Sequence, residues 1–429
     1  MVTTKYGKIE GIDHGWYTEF RGIPYAKAPV GELRWKAPQE PDAYEGVYEA
    51  KTFACRAMQD EGSMPPWDKD FYDDPAYIPE RSEDCLYLNI WAPKEAKDLP
   101  VAFWIHGGAF MGGNCSEKEF DGVEYARRGV IFVSIQYRLG IFGFLAHPWL
   151  TEEAGTSGNY GILDQVAALK WVHENIASFG GDPDKITIFG QSAGAMSVQT
   201  LISSPLTDGL ISRAILQSGG SYGEGLSRDL TLQQQEEFGS AFPKILGASS
   251  LKEMRAKTTE EVYAAVGPFM QETAPKAGGL FLTPNIDGKV LTKGYNATFD
   301  ADEIKKVPYM LGSTKDDIGA SPEGGLLLKG AKAFSQKLEE LGRDPAYVYY
   351  FKRDLPGDAQ GAWHSSELWF TMGTLNRCWR PWTPADMALS AQMLDQWTQF
   401  MKTGSPNGEG LPAWRPCAKD DPFVLELDV

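Results

Sequence analysis

A chain of 429 residues, 42% hydrophobic and 23% charged, can bury a large core without disulfide or metal staples, which excludes the small-scaffold classes. Lys and Arg total 41 against 58 Asp and Glu, a net charge of -17 that repels nucleic-acid phosphates and anionic lipid. No apolar run reaches the ~18–20 residues that span a bilayer, and five cysteines are too sparse for a disulfide framework.

Residues 1–10 lack the basic and then apolar pattern of a secretory leader, so a cytoplasmic protein is expected. No repeat or low-complexity tract appears, and a single domain over 1–429 is the simplest organisation. Apolar, β-branched runs predict buried strands at 101–106 and 130–137. The stretch 163–178 carries Val166, Leu169, Val172 and Ile176 at helical spacing, and Gly180-Gly181-Asp182-Pro183 stops it before a strand at 186–189. A helix pattern over 193–202 and a strand at 213–217 follow, then a polar, mostly helical insertion over about 221–306 packed above the sheet's C-terminal edge. Strands at 307–311 and 347–351 resume the alternation. Thr383, Pro384 and Asp386 then open a long helix that Gly404 and Pro406 end. Alternation of this kind predicts an α/β fold with a mostly parallel sheet flanked by helices.

In open α/β sheets chemistry gathers where strands end, so Gly-rich turns after strands are the places to search. Two match Gly-x-Ser-x-Gly: Gly190-Gln191-Ser192-Ala193-Gly194 and Gly219-Gly220-Ser221-Tyr222-Gly223. Only the first lies between a strand and a helix, as a sharp turn that lifts a serine hydroxyl out of the backbone requires. Gly223 and Gly225 disfavour a helix after Ser221, which reads as an ordinary glycine turn.

A serine hydroxyl needs a base, and His364 alone among five histidines follows Ser192, which suits the order nucleophile, acid, histidine found when such a serine turn sits on an α/β sheet. The acid must lie between them at a strand end. Asp316 and Asp317, after the strand at 307–311, both qualify, and spacing does not choose between them. The strand at 101–106 runs into Gly107-Gly108-Ala109-Phe110, whose backbone N–H groups suit an oxyanion. His106 is read as a structural neighbour of that loop. Phe110, Trp363, Trp369 and Phe370 adjoin these motifs as candidates to line an apolar pocket.

Together with Phe20–Ala26 (FRGIPYA), Ser82–Asn89 (SEDCLYLN), Trp104–Phe110 (WIHGGAF), Tyr137–Gly140 (YRLG), Asn159–Gly161 (NYG) and Phe179–Pro183 (FGGDP), these motifs recur from residue 20 to beyond 400. The chain resembles the type-B carboxylesterases, whose relatives include cholinesterases and lipases. The resemblance implies an α/β-hydrolase fold, with Ser192 as nucleophile, His364 as base and Asp317 as orienting acid where the family usually has Glu. It implies oxyanion N–H groups from Gly108, Ala109 and Ala193, with Gly107 shaping the turn, and pairs Cys55 with Cys85 as in secreted relatives. Only 47 residues separate Asp317 from His364, shorter than in animal members, which predicts a more open pocket. The stretch Arg377 to Trp382 (RCWRPW) resembles compact bacterial members, some of which act on aromatic or hydroxycinnamoyl esters. The expected reaction is hydrolysis of a small-molecule ester, short-chain or aromatic, without metal or organic cofactor. Acyl transfer or amide cleavage on the same triad is the alternative enzyme reading. A non-catalytic binding protein of the same fold is disfavoured by the presence of all three side chains.

Overall fold

The computed structural model describes residues 1–62, 66–322 and 324–429. Its frame is a ten-stranded sheet whose strands we number in chain order. They are β1 (Ile12–Asp13), β2 (Tyr17–Pro24), β3 (Tyr87–Pro93), β4 (Leu99–Ile105) and β5 (Ile131–Ile135). The rest are β6 (Gly181–Gln191), β7 (Arg213–Gln217), β8 (Tyr309–Thr314), β9 (Tyr347–Phe351) and β10 (Leu425–Leu427). The spatial order is β10-β9-β8-β7-β6-β4-β5-β3-β2-β1. From β10 to β5 every pairing is parallel; β3, β2 and β1 close one side antiparallel.

Central strands carry apolar side chains on both faces because both are covered. Val101, Phe103 and Ile105 of β4 enter one core, while Ala102 and Trp104 enter the other. The first core is roofed by α1 (Tyr160–Asn175), α2 (Ala193–Ser203) and α3 (Gly325–Glu340), and the second by α4 (Pro384–Thr403). Thr383 caps α4, accepting a bond from the Asp386 N–H while the Asp386 carboxylate takes the Thr383 N–H in return. A short 3-10 turn, Ile176–Phe179, ends the helical run after α1 at Gly180, whose φ is 88°. A Cβ there would sit 2.4 Å from the Ala96 carbonyl oxygen, so glycine is required.

Six helices lie between residues 232 and 300, from Leu232–Gly239 to Tyr295–Asp300. They send Phe242, Met254, Phe269 and Phe299 into the first core. Among the described residues no helix is long and apolar enough to cross a membrane. All five cysteines are free thiols, so no bond joins Cys55 to Cys85 in this structure.

Candidate active site

β6 hands the chain to α2 through a single turn centred on Ser192, whose φ of 57° and ψ of -124° lie outside the comfortable regions for a side-chain-bearing residue. The turn is held from several sides. Ser192 N–H donates to the Gln217 carbonyl at 2.9 Å, and the Ser192 carbonyl accepts from Met196 N–H at 2.9 Å. Neighbouring glycines are small because the backbone is crowded: a Cβ on Gly194 would lie 2.1 Å from the Ile105 carbonyl oxygen, and one on Gly219 would lie 2.4 Å from that of Ser192. The hydroxyl thereby projects into a cavity of about 540 Å³.

Three side chains from the segments that follow three strands meet there. Ser192 Oγ lies 2.8 Å from His364 Nε2, and His364 Nδ1 lies 2.5 Å from Asp317 Oδ1. Asp317 follows β8, and its second oxygen accepts from Ser218 Oγ at 2.7 Å and Thr314 N–H at 2.9 Å. Burial by itself would push the Asp317 carboxyl up, but the facing imidazole and these donors outweigh it and hold the carboxyl below the usual carboxylate value. For His364 burial pulls the other way, and the charge of Asp317 with its hydrogen bond prevails, leaving the imidazole above its ordinary value. An Asp317 anion on Nδ1 fixes the tautomer in which Nε2 can accept from Ser192. Gln191 Nε2 also lies 3.3 Å from His364 Nε2.

Asp316, which spacing could not separate from Asp317, is turned away: its Oδ2 accepts from Ala362 N–H at 2.9 Å. Ser221, on the second Gly-x-Ser-x-Gly string, is buried outside this cluster, and its carbonyl accepts from Gln199. His106 is buried, stacked on Tyr137, and pushed down to about 4 by burial, so it stays neutral beside the loop.

The loop after β4 turns through positive φ at three successive residues: 98° at Gly108, 55° at Ala109 and 60° at Phe110. A Cβ on Gly107 would approach Ser192 Cβ to 3.1 Å and the Gln191 carbonyl oxygen to 2.7 Å, so glycine lets the loop lie against the turn. Gly107, Gly108 and Ala109 line the cavity with Ser192 and His364. Ala193 opens α2, where an N–H has no intrahelical acceptor.

The aromatic wall differs from the sequence expectation. Phe110 is fully buried against Phe144 beneath the loop, and Phe370 is core, packed on Phe351 and Trp382. Trp363 stands one layer behind, its ring against Trp67 and Phe71. Trp67, Phe71, Tyr72, Phe120 and Leu368 face the cavity instead. Phe71, Tyr72 and Phe120 sit outside regular elements, and Trp67 and Leu368 open helices of four and five residues, too short for periodicity to reveal a direction. Sequence reading also missed Ser218, whose role depends on a neighbouring strand, and Glu367, three residues past His364. Burial first, then the Asp317 charge, push the Glu367 carboxyl up to about 7. Among the described residues no three His, Cys, Asp or Glu side chains gather as a metal site.

Known proteins resemble this chain in sequence and in fold. The model of the carboxylesterase family matches residues 1–340 and 325–429. Para-nitrobenzyl esterase of Bacillus subtilis (strain 168) is 40% identical over 322 residues, 74% of this chain and 63% of that protein. Fumonisin B1 esterase of Sphingopyxis macrogoltabida is 39% identical over 322 residues, 73% of this chain and 55% of that one. The aligned stretch thus spans less than two thirds of each of these two relatives. A solved thermophilic pNB esterase superimposes with a TM-score of 0.87 at 32% identity, covering 100% of this chain and 95% of the other, and shares its α/β-hydrolase fold. By its motifs, its fold and the match along its length, the chain belongs to the carboxylesterase family.

Proposed function

We propose that this protein hydrolyses carboxylic esters through an acyl-enzyme on Ser192. His364 takes the hydroxyl proton as Oγ attacks the ester carbonyl, and Asp317 steadies the resulting imidazolium. Backbone N–H groups of Gly108, Ala109 and Ala193 receive the oxyanion, fixed dipoles that need no reorganisation as the charge develops. Collapse of the tetrahedral species expels the alcohol with the proton held by His364; water, deprotonated by the same imidazole, then frees the acid. The observation that carries this reading is the unbroken hydrogen-bond chain Ser192, His364, Asp317 at 2.8 and 2.5 Å, opening onto one cavity.

Short-chain and aromatic esters are the proposed substrates. Trp67, Phe71, Tyr72 and Phe120 supply an aromatic wall to receive them. Ser192→Ala should lower kcat on p-nitrophenyl butyrate by roughly 10⁴-fold or more. A fluorophosphonate probe should label the wild-type chain at Ser192 and leave the variant unlabelled. Full turnover by Ser192→Ala, or labelling at another residue, would overturn the assignment.

A further inference from the structure

Among the described residues that line the cavity holding Ser192, Arg56 is the one Lys or Arg, and only 8% of its surface is exposed. Its backbone is fixed by a two-strand ladder, Arg56–Ala57 beside Arg81–Ser82, and by its N–H, which donates to the Glu80 carbonyl at 2.9 Å. The side chain is anchored at Nε, which donates to the Pro79 carbonyl at 3.0 Å. Nη1 and Nη2 have no hydrogen-bond or ion partner among the described residues, and neither is sealed from the cavity. The carboxylates near Arg56 are committed elsewhere. Glu61 pairs with Arg81 at 3.2 Å. Glu117 Oε1 accepts from Tyr72 Oη at 2.7 Å and from Asn114 N–H at 2.8 Å, and Glu117 is also bonded to Glu119.

A guanidinium is charged at any working pH, so position 56 puts a permanent positive charge into the cavity wall. A wall needed only to pack an apolar acyl chain would be more stable with Met or Leu there, because the cost of desolvating this charge is repaid by no ion pair within the described residues. With Nε held, the open edge of the guanidinium is the one between Nη1 and Nη2, whose two N–H bonds match the two oxygens of a carboxylate. An edge already anchored loses little side-chain freedom when an anion docks.

We propose that Arg56 forms a subsite for a carboxylate group carried by the ester substrate. This rests on the hydrolase reading above and narrows it to half-esters of dicarboxylic acids and to esters of hydroxy acids. A carboxamide in the same place has one acceptor oxygen and no charge, and its amino group meets the N–H donors of Arg56 with donors of its own. Asp60, Glu61 and Asp68 also line the cavity and oppose an anion, but all three are more exposed than Arg56 and are more strongly screened at ~0.15 M salt.

Near-isosteric pairs of esters test this at that salt concentration, after subtraction of spontaneous hydrolysis. One set compares the mono-p-nitrophenyl esters of adipic, suberic and sebacic acid with the esters in which a carboxamide replaces the free carboxylate. Another compares 5-carboxypentyl butyrate with 5-carbamoylpentyl butyrate, placing the anion on the alcohol arm. In at least one pair kcat/KM should favour the carboxylate ester by about tenfold or more, the scale that separates a charge-assisted from a neutral hydrogen bond. Arg56→Met should cut that ratio by about fivefold or more, and because both esters are measured on the same preparation, any loss of folded protein cancels. A ratio under tenfold in every pair, or a smaller cut in Arg56→Met, overturns the subsite while leaving the hydrolase reading standing. Turnover of neither ester in any pair overturns the hydrolase reading and the subsite with it.

Discussion

At the scale of single residues, the site works by opposing burial with charge. Asp317 and Glu367 both face His364 from buried positions, yet Asp317 has four hydrogen-bonding contacts, whereas at Glu367 burial outweighs the weaker help of Gln217. Asp317 therefore stays ionised while Glu367 hovers near neutrality at about 7. Each anion raises His364, so the base is neutral only above the ordinary imidazole value near 6.5. Hydrolysis should rise with pH through that raised midpoint and fall as acid protonates Nε2. Removing an anion lowers the midpoint: Glu367→Gln should shift the kcat/KM profile to lower pH with most of the plateau retained. Asp317→Asn should lose on the order of 10⁴ in kcat, since the amide no longer holds the tautomer. An unmoved profile in Glu367→Gln would remove that residue from the electrostatics of the base. Ser192 and His364 could be picked from sequence because strand, turn and helix frame one and chain order isolates the other. Ser218 could not, because what marks it is a neighbour across the fold.

Elements are positioned by caps, turns and strand crowding more than by propensity. The capping box on α4 shows how local chemistry can be read directly: Thr383 and Asp386 exchange bonds at the predicted start, and Gly404 ends the helix at φ 83°. Thr383→Ala should cost about 1 kcal/mol, seen as a lower urea midpoint with an unchanged slope. Strands at 213–217 and 347–351 have the predicted bounds, and 101–106 and 186–189 fall within two to five residues of β4 and β6. Parallel strands covered on both faces are continuous apolar runs, so they stand out. β2 escaped notice because Thr18, Glu19 and Arg21 interrupt it and its register with β3 shifts between Phe20 and Ile23. β6 reaches back to Gly181 through a similar irregularity before Ile186, where proline and charged residues read as a loop.

Across the whole molecule, distant segments fasten the cavity wall. Arg380 and Asp70, 310 residues apart and both buried, form a two-point ion pair with contacts of 3.0 and 2.8 Å. Trp379 donates to the same carboxylate at 2.6 Å. The stretch 377–382, which by resemblance hinted at substrate preference, is thus tied by these two residues to the helical turn Trp67–Asp70, whose first residue faces the cavity. Asp70→Ala leaves the buried Arg380 guanidinium with Asp358 as its remaining ionic partner at 2.8 Å and should destabilise the protein by about 3 kcal/mol, with KM rising as the wall loosens. A thermal midpoint unchanged from wild type would show that the pair contributes nothing net.

The separation of the two partners in the Ser192–His364 bond, 172 residues, also sets a timetable for biosynthesis. A ribosome delivers the hydroxyl long before it delivers the imidazole that meets it. Until residue 364 has cleared the exit tunnel, the nascent chain carries an inert alcohol. The growing polypeptide therefore lacks the joined Ser192, His364 and Asp317 through most of its translation.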